Sequence, residues 1–143
     1  MAKGTKKTQL PGINIQRPWA ELLTKGDKTI ETRSYPIPQK YMNRPLAIIE
    51  TPGDVGGRIR RVVGIITFSG CFRYENSRQF NKDYRKHRVP KESKFHWDNR
   101  QGRDKWGWIV KSVKQMEQEL PEEFRTGIIF SISVPLIDTP LAY

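Results

Sequence analysis

The 143-residue sequence predicts a single α+β domain built on a mixed, mostly antiparallel sheet or a small β-barrel. Short segments with strand character outnumber those with helical character. None of these strands is followed at once by a helix of the length that a parallel βαβ unit needs. Hydrophobic residues make up 36% of the chain, which is enough to form one core at this size.

The first eleven residues predict a disordered basic tail. They carry three lysines and little apolar content, so they offer almost nothing to bury. The folded domain is therefore predicted to span residues 12–143.

Three elements are predicted before residue 40. Ile13–Ile15 alternates apolar and polar residues, as a short strand does. A helix is predicted from Pro18, which suits a first helical turn, to Gly26, which is a natural stop, with an apolar stripe between them. Lys28–Arg33 is rich in β-formers and is followed by two prolines.

The middle of the chain predicts two strands, a loop and a helix. Leu46–Glu50 is an apolar run typical of a buried strand, and Arg60–Phe72 is a longer β-branched one. Proline and glycine dominate Thr51–Gly57, which predicts a loop. Glu75–His87 is predicted to be helical, since two of its aromatic residues lie four positions apart.

The last third predicts an irregular basic segment and two strands. The segment runs from His87 to Lys105, and the strands are Trp106–Val113 and Arg125–Val134. In the first strand Trp106 and Trp108 share one face. They form a stacking platform if they are exposed and a wall of the core if they are buried.

The positive charge indicates a polyanionic partner. The chain carries a net charge of +11, and Arg73–Lys105 alone has eleven basic and five acidic residues. Aromatic residues are interspersed among these cations. Cations neutralise phosphates and aromatic rings stack on bases, so the pattern favours RNA as the partner, with DNA as an alternative. A solvated helix face beside ordinary core aromatics is the simpler interpretation.

Several functional classes are not expected from the sequence. No apolar run approaches the roughly 18 residues of a membrane helix, and polar residues follow the first lysines where a secretory signal would be apolar. We therefore expect a cytoplasmic protein without membrane contact. Cys71 is the only cysteine, which excludes an internal disulfide and a four-cysteine zinc site. His87 and His96 lack a neighbouring metal ligand, so we predict no metal and no cofactor.

The segment from Gly26 to Arg33 is the most informative in the chain. On a strand, Glu31 and Arg33 share one face, whereas Lys28 lies on the other. Pairing with Glu31 would orient the Arg33 guanidinium, and an oriented arginine grips a phosphate or a base edge with two hydrogen bonds. The alternative is a surface ion pair without function.

The same segment resembles the signature of the ASCH domain family, Gly-x-Lys-x-x-Glu-x-Arg. Here the signature residues are Gly26, Lys28, Glu31 and Arg33. They are preceded by Gln16–Trp19 and followed by Ser34–Pro36, as in that family. The resemblance extends over about Ile13–Val134.

The resemblance implies a PUA-like fold, a small mixed β-barrel with flanking short helices, and RNA binding as the function. Two branches of the family resemble enzymes: amidohydrolases of acylated cytidine, and ribonuclease-like proteins. The amidohydrolases use a threonine where this chain has Glu31, which argues against amide hydrolysis here. In a hydrolase, Lys28 and Glu31 would form the proton-transfer pair.

We therefore predict an ASCH-type RNA-binding domain that holds a single-stranded or modified nucleotide in a basic cleft. The alternatives are a hydrolase on the same cleft and an adaptor whose basic face binds an acidic protein or the ribosome. The predicted nucleic-acid-binding residues are Arg17, Trp19, Lys28, Glu31, Arg33, Tyr35, Arg60, Arg61, Arg85, Lys86, Arg88 and Trp106, with further backbone contacts along Arg73–Lys105.

Overall fold

The computed structural model describes residues 6–53 and 60–138. Its strands are β1 (Lys6–Gln16), β2 (Ile30–Arg33), β3 (Leu46–Thr51), β4 (Arg61–Arg73), β5 (Trp106–Glu119) and β6 (Phe130–Asp138). Its α-helices are α1 (Trp19–Thr24), α2 (Ser77–Lys82) and α3 (Tyr84–His87), with single 3-10 turns at Gln39–Tyr41 and Trp97–Asn99. None of the helices in this part of the chain is long and apolar enough to cross a membrane.

The strands form one mixed sheet in the order β2-β5-β4-β3-β1-β6. β1 pairs with β3 in parallel, and every other neighbouring pair is antiparallel. The predicted α+β class and mostly antiparallel sheet are therefore confirmed.

The predicted barrel is wrong, because the sheet is open within the described residues. β2 and β6 are the two edge strands, and they are not paired with each other. β2 is only four residues long. Side chains of β5 and of the edge strand β6 meet across the open side of the sheet instead. The rings of Trp108 on β5 and Phe130 on β6 stack with centroids 6.3 Å apart. The sheet thus curls without closing, which leaves a gap between its edges.

The core lies on both faces of the central strands. Successive residues of β3 face opposite sides, so Ile48 packs with Trp108 in one cluster, while Ala47 and Ile49 pack with Val62 in the other. A third cluster, around Tyr74 and Phe80, lies at the helical segment and involves Trp19 and Phe95. Because β3 is buried on both faces, its sequence is a nearly continuous apolar run.

The predicted disorder of the N-terminal tail is wrong for residues 6–11. These residues belong to β1 and pair antiparallel with β6, for example Thr8 with Leu136. The pairing uses backbone groups of a strand more than a hundred residues away, so local composition does not show it. Residues 1–5 lie outside the described residues, as does most of the predicted loop at residues 51–57, from residue 54 onward.

Three other elements differ in extent from their predictions. The predicted helix at residues 75–87 is two helices, because the backbone leaves helical geometry at Asp83, whose carboxylate accepts a hydrogen bond from the Tyr74 hydroxyl. β5 continues to Glu119, since Met116 is still packed against the core. β6 begins at Phe130 and tolerates Pro135 because it is an edge strand.

Candidate functional site

A cavity of about 300 Å³ lies at the gap that the open sheet leaves beside β2. Residues from β1, β2, the start of α1 and the segments around residues 89–95 and 128–129 surround it. We call it the β2 pocket. Its lining residues are Asn14, Gln16, Trp19, Lys28, Glu31, Thr32, Arg33, Thr51, Val89, Phe95, Ile128 and Ile129.

The turn after α1 brings Lys28 into this pocket. Gly26 ends the helix with a φ of 82°, a conformation that glycine adopts without steric cost. The Lys28 backbone N–H then donates to the Leu22 carbonyl, and the Thr29 N–H donates to the Lys86 carbonyl. Because β2 begins only at Ile30, strand alternation does not apply to Lys28. The prediction that Lys28 and Glu31 lie on opposite faces is therefore wrong.

Lys28, Glu31 and Arg33 form a continuous charged chain. The Glu31 carboxylate lies between the two cations, with Oε1 3.7 Å from Lys28 Nζ and Oε2 2.9 Å from Arg33 Nε. Lys28 and Glu31 are buried, and the Arg33 side chain is 16% exposed. Arg33 is thus the member of the chain that is most available to a ligand.

Hydrogen bonds fix the orientation of the Arg33 guanidinium. Besides Glu31, it donates through Nη2 to the Asn14 carbonyl at 2.9 Å and through Nη1 to the Tyr35 hydroxyl at 3.4 Å. Burial disfavours its charge, but Glu31 and Tyr35 outweigh burial and raise the pKa of Arg33. Each Nη carries two N–H groups, so the guanidinium retains donors for a ligand.

Lys28 is held by neutral groups as well as by Glu31. Its Nζ donates to the His87 carbonyl at 2.5 Å and lies 5.1 Å from the centre of the Trp19 ring. Burial lowers the pKa of Lys28 to about 8, although the Glu31 carboxylate opposes this shift. At neutral pH Lys28 is a cation with an unusually accessible neutral form.

Two aromatic rings contribute to the wall of the pocket. Trp19 and Phe95 meet edge to face, with ring centroids 6.3 Å apart. Lys105, itself buried, donates from Nζ to the Phe95 carbonyl at 2.7 Å, and burial lowers its pKa to about 8. The position of Phe95 is therefore fixed by packing and by a hydrogen bond.

His87 lies behind Lys28, whose Nζ donates to its carbonyl, and its side chain is not exposed to solvent. It is buried, its Nε2 donates to the Phe80 carbonyl, and its Nδ1 accepts the Val89 N–H. Burial lowers the pKa of His87 to about 4, so the ring is neutral. His96 is bound to Asn81 outside the pocket. Within the described residues no group of side chains is suited to holding a metal ion.

The structure brings together four of the twelve predicted binding residues in the β2 pocket: Trp19, Lys28, Glu31 and Arg33. Tyr35 lines a neighbouring concavity. Arg17 and Arg61 both contact the buried Glu50 carboxylate, at 3.2 Å and 3.1 Å. Arg60 donates to the Phe124 carbonyl at 2.8 Å.

The remaining predicted residues also lie outside the pocket. Arg85 and Lys86 are exposed on α3, and Arg88 donates to the Asp27 carbonyl. Trp106 is partly buried against the core, and Trp108 is fully buried. The two tryptophans therefore contribute to the core and do not form a stacking platform.

Sequence reasoning missed several residues of the pocket wall, among them Asn14, Gln16, Thr51 and Phe95. A signal for Asn14 is present in the sequence. It alternates with the buried Ile13 and Ile15, so its side chain faces the opposite side of β1. No local pattern links Thr51 or Phe95 to β2, because the topology alone brings them there.

Comparison with known proteins shows what the chain is similar to. The family model described as the ASCH domain matches residues 13–124. The ASCH protein from Zymomonas mobilis is similar in structure, with a TM-score of 0.64 at 13% identity over 85% of both chains. Its serine-to-alanine variant has a TM-score of 0.65 at 14% identity, over 85% of this chain and 86% of that one. No curated protein matches the sequence.

At such low identity the structural likeness shows the fold alone, and that fold is the one of the ASCH protein. The family match covers well over half of the sequence and includes Lys28, Glu31 and Arg33. The chain belongs to the ASCH domain family.

Proposed function

We propose that the protein binds RNA and holds one nucleotide of a single strand in the β2 pocket. Arg33 contacts a phosphate or a base edge, and Glu31 fixes its orientation. Lys28 supplies further positive charge behind Glu31. The observation that carries this proposal is the oriented, partly exposed guanidinium of Arg33 in a small pocket with aromatic walls.

The dimensions of the pocket support a single nucleotide. A volume of about 300 Å³ is at the lower end of the range for small-molecule sites, which suits one base with its sugar. Sequence-specific RNA recognition depends mostly on unpaired bases that stack on aromatic or guanidinium planes. Trp19, Phe95 and Arg33 offer both kinds of surface.

The lowered pKa of Lys28 favours hydrolysis as a second candidate function. An amine with a pKa of about 8 accepts and returns protons near neutral pH, which an ordinary lysine does poorly. In such a reaction neutral Lys28 would take the proton of a hydroxyl or water as its oxygen bonds to the phosphorus or carbon under attack, and Glu31 would stabilise the resulting ammonium. The ammonium would then return the proton to the leaving oxygen or nitrogen as its bond to that atom breaks. The substrate would be RNA or a modified nucleoside.

One experiment with two readouts separates these functions. A short labelled single-stranded RNA is mixed with the protein, binding is recorded at two salt concentrations, and the incubated samples are then run on a gel. The Lys28→Met variant, which keeps the apolar stem of the side chain, is measured in parallel. DNA of the same sequence reports the preference for the sugar.

RNA binding predicts intact RNA and an affinity that falls with salt by about 0.7 log units per log unit of salt for each neutralised phosphate. Cleavage that Lys28→Met abolishes would instead establish a nuclease. A protein that neither binds nor cleaves RNA would refute the proposal and favour an adaptor or a nucleoside hydrolase.

A further inference from the structure

Two further concavities continue from the β2 pocket across the surface. The first, of about 670 Å³, shares Thr32, Arg33 and Phe95 with the pocket. The second, of about 270 Å³, shares Arg100, Arg103 and Asp104 with the first and reaches Arg73. The three spaces therefore adjoin one another, and we call the two outer concavities the arginine groove.

The arginine groove is positively charged. Six cationic and three acidic residues line it, so its walls carry a net charge of +3. The cations are Arg33, Arg73, Lys94, Arg100, Arg103 and Lys105. A concave surface with cations along its length attracts a phosphodiester backbone and binds it along the groove.

Arg100 and Arg103 are arranged to contact a ligand. The Arg100 guanidinium lies 3.7 Å from the centre of the Trp97 ring and donates to the Trp97 carbonyl, which fixes its plane. Arg103 is exposed in the turn that follows, where Gly102 has a φ of 76°. In the part of the chain that the structure describes, neither arginine forms an ion pair with a carboxylate.

We propose that the arginine groove binds the phosphodiester backbone next to the nucleotide in the β2 pocket, so that the ligand is a single RNA strand and not a free nucleoside. This inference rests on the proposed function of the pocket. Arg33 lies at the junction of the two spaces, where the phosphate of the bound nucleotide passes from one into the other. Arg100 and Arg103 contact the phosphates that follow.

The test compares a strand with a single nucleotide on the same variants. Binding of a short single-stranded RNA is measured by fluorescence anisotropy, and binding of nucleoside monophosphates by calorimetry. Arg103→Gln removes one groove charge from an exposed side chain, and Arg73→Gln is a second variant of the same kind. The matched control is Lys114→Gln, which removes one exposed charge near the other end of β5.

We expect Arg103→Gln to weaken binding of the RNA strand about two- to fivefold and to leave binding of monophosphates unchanged. The salt dependence should also become shallower by about 0.7, the contribution of one phosphate on a single strand. Arg73→Gln should act in the same direction. Lys114→Gln should change neither affinity.

Two results would overturn the groove while leaving the pocket intact. One is an Arg33-dependent affinity for monophosphates as high as that for the strand. The other is unchanged strand affinity in Arg103→Gln and Arg73→Gln. If wild-type protein binds neither ligand, the proposed function fails and the groove proposal fails with it. Equal competition by polyglutamate would likewise overturn the assignment to RNA.

Discussion

Replacing Glu31 by glutamine tests whether the carboxylate compensates the charges of the buried Lys28 and the partly exposed Arg33. Its side chain is 7% exposed, and it lies 3.7 Å from Lys28 Nζ and 2.9 Å from Arg33 Nε. Glutamine has nearly the same shape, so the substitution removes charge and leaves packing almost unchanged. The effect on stability therefore reports the electrostatics of the site.

The expected magnitude follows from these distances. At an effective dielectric constant of about 20, each of the two charge pairs is worth about 4 to 6 kcal/mol before desolvation. Removing one partner of a buried pair costs about 3–5 kcal/mol net, because the other charge is left uncompensated. Arg33 is partly exposed and glutamine keeps an acceptor for its Nε. We therefore expect Glu31→Gln to lower the free energy of unfolding by about 3 kcal/mol.

The assay is urea unfolding followed by tryptophan fluorescence, which reports on the buried Trp108. The matched control is Glu117→Gln, the same chemical change at a carboxylate that is 73% exposed and pairs with Arg61 at 3.2 Å. An exposed pair contributes about 0–1 kcal/mol. If Glu31→Gln loses no more free energy of unfolding than the control, the interactions of Glu31 with Lys28 and Arg33 do not stabilise the fold.

Three further predictions concern Lys28, His87 and Trp19. Because the folded pKa of Lys28 is about 8 and its ordinary value is 10.5, the unfolded chain binds more protons between these values. Unfolding free energy should therefore rise by about 1 to 2 kcal/mol from pH 8 to about 9.5, and rise less in Lys28→Met. His87 has a folded pKa of about 4 against 6.5, so stability should fall as pH drops through this window, and less steeply in His87→Gln. An unchanged slope in either variant would contradict the burial of that group. Trp19→Leu should weaken RNA binding by about 1 kcal/mol through lost stacking, whereas Trp106→Leu, outside the pocket, should not.

The pairing of Glu31 with Arg33 and the preceding helix were predictable from the sequence because they are local. The spacing of Glu31 and Arg33 on one strand placed them side by side, and the structure pairs them at 2.9 Å. The helix before them was predictable from the stripe that includes Trp19 and from its glycine stop. The ASCH resemblance was based on the same residues, and the family match over residues 13–124 confirms it.

The features that sequence reasoning missed depend on long-range contacts. The pairing of Thr8 with Leu136 joins the first and last strands, and the polar residues around Thr8 do not indicate it. The open sheet has the same origin, because only the final topology shows that β2 and β6 remain edges. The burial of His87 was missed for a different reason: its sequence neighbours are basic, but its ring stacks on Phe80, seven residues earlier, and accepts the Val89 N–H.

The most direct test of the account is the affinity of Arg33 variants for short single-stranded RNA. Arg33→Ala removes the guanidinium, and Arg33→Lys keeps the charge but lacks the planar fork. We predict that Arg33→Ala weakens binding by about 1–3 kcal/mol and that Arg33→Lys recovers only a small part of this loss. Circular dichroism and thermal unfolding verify that both variants are folded. A folded Arg33→Ala protein with the dissociation constant of the wild type would contradict the account.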